Sequence, residues 1–192
     1  MSPVTRAGAM AIVAAALTCT IAIAAQTHGV KEEFTAVAIA NDEFGSGAGR
    51  VLIRIDRWST EAERTRLVDT LQQKGSRALL DALQDARPVG TIRTPDSLAY
   101  DLRYAHETKG ADGGRQIVIA TDRPIGFWEA ANSARTLDYP FSVIQMQIGA
   151  EGKGKGTLSY ATRIRAYGKV IELENFSTAP IMLTDIEART AD

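Results

Sequence analysis

The sequence predicts an α+β fold: a curved, mainly antiparallel β-sheet of about nine strands, barrel-like or in two layers, with one helical hairpin packed on it. Three observations carry that prediction. Period-two alternation recurs along most of the chain, as in residues 50–58, where Val51, Ile53 and Ile55 oppose Arg54 and Asp56. Only residues 60–85 show helical spacing instead. The strands follow one another through short turns, which antiparallel pairs allow and parallel pairs, needing long crossovers, do not. So many strands around one core curl into a barrel or split into two layers.

The chain of 192 residues opens with an address. Arg6 is the one charge in residues 1–10, and residues 11–25 are small or apolar and uncharged. Ala22-Ile23-Ala24 has the small-x-small pattern of a signal-peptidase site, completing the layout of a secretory signal peptide. The apolar run is short of the roughly 20 residues a membrane-crossing helix needs. The expectation is a cleaved segment at 1–24, a single domain at 25–192 with no lasting membrane anchor, and a periplasmic or extracellular location. Cys19 lies inside the signal, so the exported domain has no disulfide and must rely on an ordinary core. With 22 basic and 23 acidic side chains interspersed, nothing in the charge pattern attracts nucleic acid.

Residues 33–40 read as the first strand, 41–49 as a turn-rich loop and 50–58 as the second strand. Thr60 and Glu63 have capping-box spacing at a helix start. Ala62, Leu67, Val68 and Leu71 form one helical stripe and Leu79, Leu80 and Leu83 another, with Gly75 a stop between them and Pro88 the end. Residues 89–94 are a short strand turned by Pro95. Residues 98–107 alternate, placing Leu98, Tyr100, Leu102, Tyr104 and His106 on one face and Glu107 on the other. Residues 111–114 (ADGG) are a hairpin turn into a strand at 115–122. From Phe141 onward four strands form a meander, separated by residues 151–156, 168–169 and 177–178. Gly168 suits the first central position of a type II′ turn, which sets a register of Arg165 opposite Glu172 and Arg163 opposite Glu174. That register makes both arginines structural.

Chemistry is harder to find. Gly45, Gly47 and Gly49 precede a strand rather than a helix N-terminus, so they do not form a phosphate loop. Two histidines outside the signal, His28 and His106, and no cysteine give no metal cluster and no cofactor site. His106 can do acid–base work, at the mouth of a cavity with Tyr100 and Tyr104 deeper in. The connection holding Asp122, Arg123, Phe127, Trp128, Glu129, Arg135, Asp138 and Tyr139 is dense in aromatic and charged groups. Such loops either bind a ligand or plug a barrel end with a Trp and an Arg–Asp pair.

Residues 119–129, Tyr139-Pro140-Phe141 and the Gly-Lys-Gly run after them resemble a family of uncharacterised exported bacterial proteins. The resemblance covers most of the exported domain and implies no activity, cofactor or site. Three functions stay open. One is a non-catalytic exported protein binding a small apolar ligand or an envelope protein, through Tyr100, Tyr104, His106, Trp128, Asp122 and Arg123. Another is a small hydrolase or isomerase using His106 or the loop between Asp122 and Asp138. The last is a structural or assembly protein with no pocket.

Overall fold

The computed structural model describes residues 31–42, 45–125, 138–168, 170–176 and 179–191. The expected signal segment and Trp128 lie outside the described residues. With Cys19 the only cysteine, no intrachain disulfide can form. Among the described residues, no helix is long and apolar enough to cross a membrane.

Among the described residues, ten strands form one antiparallel sheet. They are β1 (Glu32–Asp42), β2 (Gly45–Ile55), β3 (Gly90–Arg93), β4 (Tyr100–Leu102), β5 (Tyr104–Lys109), β6 (Arg115–Thr121), β7 (Phe141–Ile148), β8 (Lys153–Tyr167), β9 (Val170–Asn175) and β10 (Ile181–Thr190). Their order is β4-β3-β2-β1-β10-β8-β7-β6-β5, with β9 pairing the C-terminal part of β8. The two ends of this path, β4 and β5, are neighbours in sequence, separated only by Arg103. The Arg103 N–H donates to the Ala120 carbonyl of β6 at 3.0 Å. One run of chain therefore finishes both edges, and the sheet becomes a nearly closed barrel with its edges protected. Because sheet predominates, the α+β description fits only loosely.

Alternation explains the core. Phe34, Ile53, Ile92, Leu102, Ile117, Ile144, Leu158 and Leu183 point inward and are almost wholly buried. At one mouth Arg115 donates to the carboxylates of Glu32 and Glu107, and its guanidinium lies 5.7 Å from the centre of the Phe34 ring. Charge pairing and stacking there cover the end of the apolar interior.

Two loop expectations need correction. Residues 41–42 and 45–49 are strand, not loop: Ala40 pairs with Gly47 and Asp42 with Gly45. Likewise Gly154 and Gly156 lie in β8 rather than in a turn. Their reason is close approach. A Cβ on Gly154 would stand 2.1 Å from the Gln147 carbonyl oxygen, and one on Gly156 would stand 2.4 Å from that of Gln145. These glycines let a neighbouring backbone come near. Gly154→Ala should lower stability by about 1–3 kcal/mol in urea unfolding, because backbone must shift to admit the methyl. An unchanged midpoint would show that β7 and β8 are not held this tightly.

The helical block is one element, α1 (Glu61–Gln84), broken at Gly75, where φ is 84° and ψ −176°. An unbroken helix of that length would span about 36 Å. Instead the chain returns to its starting point: the Asp56 and Arg57 N–H groups both donate to the Val89 carbonyl, at 2.9 and 3.2 Å. The element therefore doubles back at Gly75. The capping box is present, with Glu63 N–H donating to Thr60 Oγ1 at 3.1 Å and Thr60 N–H to Glu63 Oε2 at 2.7 Å. Burial pushes the Glu63 carboxyl up, but Arg57 and the Thr60 N–H outweigh it and leave the group below its usual value. Leu67, Leu71, Leu79, Leu80 and Leu83 are buried against the outer face of the barrel, over Ala120, Phe141, Val143 and Ile164. Of the expected stripe, Val68 is only half-buried and Ala62 is exposed.

The β8–β9 hairpin has the expected register. Gly168 has φ 61°, Tyr167 faces Val170, Arg165 faces Glu172 and Arg163 faces Glu174. The ion pairs differ in detail: Arg165 reaches diagonally to Glu174 at 2.9 Å, where Arg163 also lies at 3.7 Å. Arg163 also stacks over the Tyr139 ring at 5.0 Å, so these arginines hold scaffold together.

Candidate functional site

The site lies outside the barrel. Ser59 sets one end of it: its N–H donates to the Ala105 carbonyl at 2.7 Å, and its Oγ accepts from the Ala105 N–H at 3.1 Å. This pins the start of α1 to β5. Further along α1, Gln72 Nε2 donates to the Gly168 carbonyl at the β8–β9 tip, at 3.2 Å. The first arm of α1 thus bridges from β5 to the β8–β9 tip. Between helix and sheet lies a groove of about 350 Å³. Leucines from both arms form its roof, Val118, Ala120 and Val143 its floor, and Ile164, Ile171 and Leu173 a side wall.

The floor changes character along the strands. Tyr104 faces Ala120, which faces Val143, and this row lies beneath the helix. Two residues on, His106, Val118 and Gln145 form a mixed row at the margin. Two further on, Thr108, Gln116 and Gln147 are a polar row. Of that last row only Thr108 lines the groove, which therefore gains polar groups toward that end.

No family model, curated protein or solved structure matches this chain.

Tyr104 and His106 come together as the alternation predicts, stacked with ring centres 6.3 Å apart. Glu107 points the other way, toward Arg115 inside the barrel. Tyr100 does not join them. The strand breaks at Arg103, so Tyr100 packs against the interior core with Leu102, while Tyr104 and His106 face out. Leu98, at the head of the expected stripe, is 89% exposed. The expected cavity inside an aromatic-lined barrel mouth is instead a groove on the outer surface.

Asp122 is also elsewhere. Its side chain is buried beside Arg103, whose Nε lies 3.4 Å from Oδ1, and Thr121 Oγ1 donates to it at 3.2 Å. Arg103 Nη1 also donates to the Ala86 carbonyl at 3.0 Å, tying the end of α1 to the barrel seam. Arg123 is exposed, with Nε 3.6 Å from Asp122. An Arg–Asp pair was anticipated in this loop, but its arginine comes from the β4–β5 break.

Arg64, Val118, Gln145, Ile171 and Leu173 were missed by sequence reasoning. Val118 did carry a signal: it is an apolar residue at a wet position, between Ile117 and Ile119 that face the core. A second depression of about 650 Å³ lies at the tips of the β5–β6 and β7–β8 hairpins. It is larger, but turn glycines and opposed charges such as Lys109, Asp112, Glu151 and Lys153 line it. That is the chemistry of a hydrated cleft, and the smaller apolar groove is the better site.

Burial pushes the Tyr104 phenol up to about 12, with Arg64 pulling the other way. An unfolded tyrosine ionises near pH 10. Between those values the unfolded chain loses a proton that the folded one keeps, so stability falls as pH rises from about 10 toward 12. Tyr104→Phe should flatten this alkaline loss in pH-dependent thermal melts. Identical alkaline slopes in the two proteins would place the phenol in water.

Proposed function

We propose that the protein is an exported, non-catalytic binding protein that holds a small apolar ligand in the groove between α1 and the outer face of β5–β9. The groove itself carries this reading: it is concave, apolar and within the size range of small-molecule sites, about 300–1,000 Å³. A narrow cleft favours a small ligand over an envelope protein as the partner. Among the described residues, its lining includes His106 but no carboxylate to orient the imidazole, which favours binding over hydrolysis or isomerisation. The export rests on the apolar, uncharged residues 11–25 and the site after Ala24.

Val118 offers a direct test, since it lines the groove and is 38% exposed. Val118→Trp should fill the groove while moving thermal stability little, because the new ring extends into open space. Native mass spectrometry of protein purified from its own envelope should then show a bound small molecule on the wild type and none on the variant. A ligand retained equally by both proteins would place binding elsewhere.

A further inference from the structure

We propose that the ligand of this groove is a short single-chain amphiphile with an anionic head, of the class of medium-chain carboxylic acids. Its tail would lie under the leucines of α1 and its head against Arg64 and His106. The inference rests on the groove being a binding site and assigns the chemistry of what it binds.

Three observations carry it. The first is the polarity ramp. From the Tyr104 row to the Thr108 row is four residues of strand, about 13 Å. Over that length the lining passes from Tyr104, Ala120 and Val143, through His106, Val118 and Gln145, to Thr108, the one residue of the last row that lines the groove. A molecule matching it has one apolar end and one polar end, and lies along the strands. Thr108 also borders the hydrated depression beyond, so the polar end meets water.

The second is charge. Arg64 is the one charged side chain in the lining among the described residues, and no carboxylate accompanies it there. Glu61, outside the lining, accepts from Arg64 Nη1 at 2.9 Å. A guanidinium has five N–H donors, so that contact steadies the group without exhausting it. Elsewhere in the lining His106 offers a ring N–H and Gln145 an amide. A lining with one cation, neutral donors and no carboxylate suits a carboxylate ligand and repels an ammonium. Arg64 and His106 both line the groove, and Arg64, like Glu61, is near enough to Tyr104 to act on its phenol.

The third is size. At about 350 Å³ the groove is near the lower limit for small-molecule sites and holds one short chain, not the paired chains of a membrane phospholipid.

The test compares three ten-carbon probes of equal tail on the full protein: decanoate, decanol and decyltrimethylammonium, by isothermal titration at neutral pH. Decanoate should bind about tenfold or more tighter than decanol, as a charge-assisted hydrogen bond requires, and the ammonium weakest of all. Arg64→Gln should remove that advantage and leave decanol affinity unchanged. Equal binding of acid and alcohol, or equal weakening of both by Arg64→Gln, would overturn the anionic head while sparing the apolar groove. Binding of none of the three would overturn the groove as a ligand site, and this inference with it.

Discussion

Phe141→Ala should lower stability by about 3–5 kcal/mol, and the melting temperature by about 6–20 °C. Phe141 opens β7, is wholly buried and sits in the cluster joining the outer face of the sheet to the leucines of α1. Removing the ring leaves a cavity between the two layers where their apolar faces pack together. Neither can collapse onto it, because each is fixed elsewhere: the sheet by its ladders, and α1 by Ser59 at one end and Ala86 at the other. Leu98→Ala is the control. It removes a large apolar side chain that is 89% exposed, so its effect should stay within about 0.5 kcal/mol. A loss below about 1 kcal/mol for Phe141→Ala in urea unfolding would mean that α1 does not rest on this face.

Arg103→Met should cost about 3 kcal/mol or more. The substitution keeps much of the side chain's length but strands Asp122, whose side chain is 5% exposed, without its buried cation. Arg123, at 3.6 Å but largely in water, softens the loss without replacing the pair. Arg103→Met also deletes the donor to Ala86, loosening the end of α1. The double variant Arg103→Met/Asp122→Leu should recover much of the loss, because it removes the stranded charge along with its partner. A double variant as unstable as the single would trace the loss to the Ala86 contact alone.

How much of this was legible depended on the distance over which each feature is decided. The capping box at Thr60 and Glu63, the break at Gly75 and the register about Gly168 were all readable. Each is set by a handful of adjacent residues whose backbone geometry admits few alternatives. The Tyr104–His106 face was readable for the same reason, since two residues one step apart on a strand share a side. Tyr100 was assigned to that face wrongly. Nothing in residues 98–107 interrupts the alternation; the interruption at Arg103 arises because one strand must close a barrel, pairing with β3 first and β6 afterwards. Gly154 and Gly156 looked like turn residues for a related reason, since the crowding that demands them comes from β7.

The sequence by itself determined the strand-rich antiparallel architecture, the single helical block with its stop, and the pairing of apolar stripes with a core. It did so because periodicity and turn chemistry act locally, through sterics and burial of one face. Only the tertiary structure decided that the helix lies outside a nearly closed barrel and that the candidate groove is therefore external. It also decided that Asp122 is spent on Arg103. Those outcomes depend on contacts between residues far apart in the chain, such as Ser59 with Ala105 or Gln72 with Gly168, whose free energy is realised only when the sheet has closed.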